Sequence, residues 1–232
     1  MKSERIPVKS FSADNGFIGK MQKLVREEVL PYQYNILNDA IPGIEKSHAI
    51  ENIRLAAEKL RGKDVKPDEF YGMVFQDSDV AKWIEAAAYA LAAGEDPELE
   101  KAVDETIQLY GASQHEDGYV DSYFTVKCPD KMWTNICDAH ELYCAGHMME
   151  AAVAYYEVTG KRELLDIMSK SADCIYEQFM KKNTRAYPGH PEVELALMRL
   201  WRATGNEKYK ELAKHFVDAV SYTHLTLPTN SL

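Results

Sequence analysis

The chain has 232 residues, enough for one large domain, and its 46% hydrophobic and 28% charged residues are typical of a globular protein rather than a disordered or collagen-like one. Asp and Glu outnumber Lys and Arg by 37 to 27, and the formal net charge of −10 argues against nucleic-acid or anionic-membrane partners. Because the sequence has neither a run of about 18 apolar residues nor an apolar stretch near its start, we expect a cytoplasmic protein whose four cysteines are free thiols.

Apolar residues recur with helical periodicity through most of the chain. The pattern predicts about eight helices, at 16–37, 46–62, 80–93, 97–112, 138–158, 162–180, 191–204 and 207–219. The best strand signal is at 118–126, where β-branched and aromatic residues follow an Asp-Gly turn, and we expect at most a short hairpin or an extended loop there. The predicted fold class is therefore all-α.

The predicted helices come in pairs that repeat along the chain. Each pair opens with a helix rich in Glu and Ala, passes a glycine expected to adopt the left-handed conformation, and closes with a more charged helix. These glycines are Gly94, Gly160 and Gly205. Such hairpins stack into open solenoids or closed rings, and in a ring the loops before the inner helices converge on one face. The sequence thus predicts that the polar residues at 77–79, 140–147 and 189–190 face a common cleft.

The last segment of the chain differs from the rest. Residues 221–232, SYTHLTLPTNSL, contain no Asp, Glu, Lys or Arg and interrupt a helical pattern. They resemble the peptide encoded by sequencing-adapter sequence at the end of an assembled contig, so we expect a non-native tail there. The preceding helix would then keep an apolar face that the tail does not cover, formed by Leu212, Ala213, Phe216 and Val217.

Three residues of the motif HELYCAGH have ligand-type side chains at helical spacing: His140, Cys144 and His147. One interpretation is a metal site on one helix face. The other is that Cys144 packs in the core while the histidines point into a cleft. His190, which follows a Pro-Gly turn and precedes a predicted helix, suits either a hydroxyl-rich or anionic ligand or the capping of its own helix.

Paired carboxylates are the usual groups of glycoside hydrolysis. Six acidic residues lie at suitable loops or helix starts: Asp77, Asp79, Asp117, Asp121, Glu192 and Glu194. The sequence does not place any two of them at a defined separation. Gly-rich phosphate loops and serine-hydrolase motifs are missing, which argues against nucleotide and serine-hydrolase chemistry.

Four stretches in order resemble glycoside hydrolase family 127, the β-L-arabinofuranosidases. They are FQDSDVAKWIEAAAYAL (75–91), DGYVDSYFT (117–125), HELYCAGHMMEAAVAYYEVTGKRELLDI (140–167) and YPGHPEVELALMRLWRATGNEKYKELAKHF (187–216). The resemblance covers residues 5 to 220. It implies an (α/α)6 barrel and removal of terminal β-L-arabinofuranose from plant-type glycans with retention of configuration.

The family's nucleophile is a cysteine thiolate held on zinc by a glutamate and further cysteines, and another glutamate is the acid/base. Those motifs have no counterpart here, so the resemblance implies that residues 1–220 are the N-terminal portion of an incomplete barrel, inactive alone, with zinc only in the full-length parent. Family substrate contacts map onto His140 and His190. His147 and Cys144 are then expected to be supporting or structural, and the chain is expected to bind no metal.

Two other interpretations stay open. One is a non-catalytic helical-repeat module that binds a glycan or peptide and needs a polar capping helix at each end. The other is the neighbouring family of unsaturated-uronyl hydrolases, which would need cationic residues in the pocket, whereas the loops placed there offer His, Asp and Tyr.

Overall fold

The computed structural model describes residues 6–11, 13, 16–182 and 186–224. All regular structure within these ranges is helical, in agreement with the predicted fold class. The α-helices are α1 (Gly16–Leu24), α2 (Leu30–Leu37), α3 (Ala49–Leu60), α4 (Asp77–Ala93), α5 (Pro97–Ala112), α6 (Ser122–Val126), α7 (Glu141–Thr159), α8 (Glu163–Tyr176), α9 (Val193–Thr204) and α10 (Glu207–His224). Single 3-10 turns lie at Val8–Ser10, Pro67–Glu69 and Pro129–Lys131. Of the predicted tail, 221–224 end α10, and 225–232 lie outside the described residues.

The helix predicted at 16–37 contains a π-helical turn. Residues Val25–Val29 form this turn and join α1 to α2 without a break. Pro31 follows the turn, and because proline has no backbone N–H and its ring crowds the preceding turn, a wider turn at this point accommodates it. The helix is fixed to α4 by Trp83, which stacks on Tyr34 at 4.7 Å between ring centroids and donates a hydrogen bond to the Leu30 carbonyl at 3.1 Å.

The remaining long helices form two layers of antiparallel pairs. Helices α4, α7 and α9 pack side by side as the inner layer, and each is followed by its outer partner, α5, α8 or α10. Gly160 and Gly205 end their helices with φ of 78° and 74°, as predicted, because an L side chain is disfavoured there. Gly94 is instead extended, with φ of 174°, and Asp96 caps the next helix by accepting the Leu99 N–H at 3.1 Å.

Helix α7 lies between α4 and α9 and is apolar on most of its surface. Fourteen of its 19 residues are buried, which is typical of a helix enclosed by neighbours. Small residues allow this close packing, and Gly146 is the clearest case. A methyl group on Gly146 would come within 3.0 Å of the Val193 nitrogen at the start of α9.

Two sequence-based expectations are corrected by the structure. The hairpin or loop allowed at 118–126 is replaced from Ser122 onward by the short helix α6, because Asp121 accepts the Phe124 N–H at 3.0 Å and caps it. The apolar face expected to be uncovered on α10 is mostly packed against α8 and α9. Its members Leu212, Ala213 and Phe216 are buried, and Val217 is 53% exposed.

An uncovered apolar stripe lies on α1 instead. Phe17 is 72% exposed, Ile18 53%, Met21 39% and Leu24 46%. These residues recur at helical spacing and share one side of the helix. In the described ranges, no helix has both the length and the apolar character needed to cross a bilayer.

Candidate functional site

The starts of the three inner helices meet at one end of the inner layer. His140 is the residue before α7, His190 lies three residues before α9, and Phe75 lies two residues before α4. The His140 ring centroid is 5.1 Å from that of His190 and 5.2 Å from that of Phe75. This is the convergence that the hairpin repeat predicted, and it places the two predicted sugar-binding histidines in contact.

With both rings neutral, the contacts of His140 and His190 assign the protons to particular ring nitrogens. His140 Nδ1 lies 2.6 Å from the Asp138 carbonyl, which only accepts, so Nδ1 of the neutral ring is protonated and Nε2 is an acceptor. His190 Nε2 lies 3.2 Å from His140 Nε2 and is therefore the donor of that bond. The Nδ1 atom of His190 is left as an acceptor. His140 also has a backbone φ of 63°, a strained left-handed conformation of a non-glycine residue.

Tyr143 is at the centre of an aromatic cluster with the three histidines of this site. Its ring centroid lies 5.6 Å from that of His140, 4.5 Å from His147 and 5.1 Å from His190. Its hydroxyl oxygen accepts a hydrogen bond from Lys82 Nζ at 3.0 Å. Lys82 of α4 thus holds the Tyr143 ring, which lies between the imidazoles of His147 on α7 and of His190 in the loop before α9.

His147 and Glu192 form a contact between largely neutral groups. His147 Nδ1 is 3.3 Å from Glu192 Oε1. Burial, with the nearby Lys82 charge, lowers the pKa of His147 to about 4, while burial and the charges of Glu150 and Glu85 raise the pKa of Glu192 to about 7. Because an ion pair would shift both pKa values the other way, the contact between pH 4 and pH 7 joins two neutral side chains, and it links the loop before α9 to α7.

Two glycines bring the loops of the site together. A methyl group on Gly189 would overlap the Cys137 carbonyl oxygen, and one on Gly146 would lie 2.9 Å from Glu192 Cγ. Neither glycine has a positive φ, so both are required by close approach rather than by backbone conformation. The position of His190 therefore depends on glycine at both position 146 and position 189, where a side chain would push the loops apart.

The residues proposed as metal ligands do not converge. His140 precedes the helix, Cys144 is buried on the core side, and His147 faces Glu192. Burial and the charges of Asp121 and Asp77 raise the pKa of Cys144 well above its usual range. Within the described part of the chain, no three His, Cys, Asp or Glu side chains are arranged to hold a metal ion. These side chains do not fit a zinc site.

Two of the candidate carboxylates support the fold beneath the site. Asp77 is 4% exposed and accepts hydrogen bonds from the Ser122 N–H at 2.8 Å and from its hydroxyl. Asp121 is 3% exposed and caps α6, and burial together with the Asp77 charge raises its pKa well above its usual range. The Asp77–Ser122 hydrogen bonds join the start of α6 to the start of α4.

The other candidate carboxylates are less enclosed. Asp79 is exposed on α4, and Asp117 accepts the Tyr119 N–H at 3.0 Å in an exposed turn. Glu194 is half-buried on α9, and burial raises its pKa. None of the three contacts the histidine cluster through a hydrogen bond that the structure shows.

Four residues of the site were not singled out from the sequence. Tyr143 stands inside HELYCAGH, three residues after His140, where its helical spacing was a usable signal. Phe75 and Lys82 belong to another motif, and Lys82 supplies a cation that the sequence pattern did not place beside the histidines. Glu141 is buried, accepts hydrogen bonds from Tyr119 and the Trp133 N–H, and burial raises its pKa to about 7.

Comparisons with known proteins agree with this architecture. The family model described as beta-L-arabinofuranosidase, GH127 catalytic domain, matches residues 12–230. A curated non-reducing end beta-L-arabinofuranosidase of Bifidobacterium longum subsp. longum is 41% identical over 212 residues, covering 83% of this chain and 31% of that protein. The crystal structure of a GH127 beta-L-arabinofuranosidase from Geobacillus stearothermophilus T6 is 51% identical with a TM-score of 0.81, covering 88% of this chain and 32% of the other.

A second solved GH127 beta-arabinofuranosidase is 31% identical with a TM-score of 0.82, covering 94% of this chain and 34% of the other. The chain thus spans about a third of the length of each of these relatives.

Proposed function

Since the chain belongs to glycoside hydrolase family 127, the β-L-arabinofuranosidases, we propose that it forms part of the sugar pocket of a retaining enzyme that acts on arabinose-containing plant-type glycans. The observation that carries the proposal is the contact between His140 and His190 at the starts of the inner helices. Their arrangement presents hydrogen-bonding groups for furanose hydroxyls on a preorganised frame.

In this proposal the catalytic groups lie outside the 232 residues. The matched span is about a third of each relative. The Cys144 thiol does not suit the nucleophile's role, because a nucleophilic thiolate needs a lowered pKa and burial raises the pKa of this one. We therefore expect the chain alone to be inactive and to bind no stoichiometric zinc, and zinc to be held in the full-length parent.

Within the pocket the two loops have distinct tasks. His190 Nδ1 accepts a hydrogen bond from a sugar hydroxyl. His140 fixes the orientation of His190 through the hydrogen bond between their Nε2 atoms. The His147–Glu192 contact holds the second loop against α7. The sugar is then bound by groups whose geometry exists before it arrives.

The test is a titration of the protein with methyl β-L-arabinofuranoside, followed by NMR of the histidine ring carbons. We expect saturable shifts of the His140 and His190 signals, and loss of binding in His140→Ala and His190→Ala. His48→Ala is the matched control, since His48 is also a left-handed residue before a helix, with φ of 54°, and bonds Asp39 rather than the site. Unaltered affinity in both site variants would contradict the proposal.

Activity and metal content test the catalytic part of the proposal. We expect no release of p-nitrophenol from its β-L-arabinofuranoside by the chain alone. A chelator-sensitive zinc at one equivalent, lost in Cys144→Ser and His140→Ala, would contradict the assignment of the metal to the full-length parent. Cytoplasmic residence stays a prediction that cell fractionation would check.

The alternative is a non-catalytic helical-repeat module that binds a glycan or peptide. One observation favours it, namely that the apolar face of α10 is largely covered within the chain, with Leu212 and Phe216 fully buried. The exposed stripe on α1 argues against it, because a capped module would cover both ends. Peptide binding without any response to the arabinofuranoside would favour the module.

A further inference from the structure

Tyr143 lies among the imidazoles of the site, and we propose that its hydroxyl, polarised by the ammonium of Lys82, donates a further hydrogen bond to the bound sugar. The inference rests on the proposed function, because it adds a contact to the same pocket. It assigns a ligand-binding role to two side chains that sit on different inner helices, α7 and α4.

The Tyr143 hydroxyl is a donor that the protein leaves available. Its oxygen accepts a hydrogen bond from Lys82 Nζ at 3.0 Å, so its own proton points to another partner. Among the described residues, no acceptor for that proton is seen. Tyr143 is half-buried and Lys82 is exposed, so the polar end that they share reaches the surface of the cluster.

Lys82 is held in place by hydrogen bonds rather than by a carboxylate. Its ammonium donates to Ser78 Oγ at 3.1 Å and to Tyr143, and it lies 5.1 Å from the Tyr143 ring centroid. In the described ranges, no carboxylate lies within ion-pair distance of it, and the nearby Glu192 faces His147. The ammonium is thus in direct contact with the phenol, whereas the charges of Asp79 and Glu192 reach it only at longer range. A hydroxyl that accepts a hydrogen bond from a cation is a stronger donor.

The donor of Tyr143 complements the acceptor of His190. The two rings lie 5.1 Å apart, and His190 Nδ1 is an acceptor because Nε2 donates to His140. A furanose with neighbouring hydroxyls donates from one and accepts at the next, which matches an acceptor and a donor held side by side. The ligand class is therefore a sugar with adjacent hydroxyls, as in the arabinofuranoside of the proposed function.

The experiment measures the affinity of four variants for methyl β-L-arabinofuranoside by the same NMR titration. Tyr143→Phe removes the hydroxyl alone, and we expect affinity to fall about five- to tenfold, the effect of one hydrogen bond. Lys82→Met keeps the aliphatic part of the side chain without its charge and is expected to lower the affinity about threefold. Lys82→Arg retains the charge, and we expect its affinity to stay within about twofold of the unaltered protein. Tyr156→Phe is the control, a half-buried tyrosine on α7 that packs on Arg162.

Monodeoxy analogues of the sugar separate a direct contact from a structural effect. Removal of the hydroxyl bound by Tyr143 should weaken binding to the unaltered protein and leave binding to Tyr143→Phe unchanged. An equal loss for every analogue in Tyr143→Phe would overturn the inference, as would unaltered affinity in that variant while His190→Ala loses binding. No saturable shift in the unaltered protein would overturn the proposed function and this inference with it.

Discussion

The close approach of α7 to the start of α9 makes a sharp stability prediction for Gly146→Ala. The added methyl group would lie 2.9 Å from Glu192 Cγ, 3.0 Å from the Val193 nitrogen and 3.1 Å from its Cα. Two of these atoms are backbone, so they move only if the start of α9 moves. The substitution therefore acts on the loop that carries His190.

The expected magnitude follows from two opposing effects. Overpacking costs about 1–3 kcal/mol, and the contact with backbone places this case near the upper end. Alanine in a helix interior is favoured over glycine by about 1 kcal/mol. The free energy of unfolding should thus fall by about 1–2 kcal/mol, which lowers the melting temperature by roughly 2–8 °C for a chain of this size.

Gly111→Ala is the matched control. Gly111 also lies in a helix, in the last turn of α5, and a methyl group there would lie 2.8 Å from Cδ1 of Ile167, the end of a flexible side chain. A rotamer change of Ile167 costs about 1 kcal/mol, which a helix-propensity gain of at most about 1 kcal/mol largely offsets. The free energy of unfolding should stay within about 0.5 kcal/mol of the unaltered protein.

Urea unfolding followed by circular dichroism measures both variants, and the histidine ring signals report the site. We expect the His190 signals to shift in Gly146→Ala and to stay in place in Gly111→Ala. If Gly146→Ala is as stable as Gly111→Ala, the reasoning that α7 and α9 touch through backbone atoms is wrong.

Three further predictions concern protonation and thiol reactivity. Burial raises the pKa of Glu141 from 4.5 to about 7 in the folded state, so the stability that this residue contributes is present below pH 4.5 and is lost as pH rises through 7. In urea unfolding between pH 5 and 8, Glu141→Gln should therefore remove a pH dependence of the unfolding free energy on the order of 2–3 kcal/mol. The same change of unfolding free energy with pH in both proteins would contradict this. Nitrogen-15 spectra at neutral pH should show His140 protonated at Nδ1 and His190 at Nε2, and the reverse assignment would refute the hydrogen-bond analysis. Cys137 is exposed and should react with a thiol reagent in the folded protein, whereas the buried Cys144 should react only on unfolding; early labelling of Cys144 would show an open inner layer.

The helical fold was predictable because its signals are local. Apolar spacing of three and four residues identified the helices, and the glycines between them identified the hairpins. The two departures from the predicted structure are also local, and both occur where an aspartate caps the start of a helix. Asp121 caps a short helix where β-branched and aromatic residues indicated a strand, and Gly94 is extended because Asp96 begins the next helix.

The grouping of the site was only partly predictable. The hairpin repeat indicated that the loops before the inner helices converge, and it placed His140 near His190. Their proton positions depend on the Asp138 carbonyl and on a 3.2 Å contact between residues 50 positions apart. The spacing of residues along one helix predicts neither of these contacts.

The amino-acid sequence by itself determined the helices and their pairing, since both depend on residues within a few turns of one another. Its motifs also carried the family resemblance and singled out His140 and His190. The tertiary structure decided which side chains share the site. Lys82 and Tyr143 are 61 residues apart in the chain, and only the packing of α4 on α7 brings the ammonium and the phenol to 3.0 Å. Packing also decided that Cys144 lies in the core, because burial depends on neighbours that a sequence pattern does not specify.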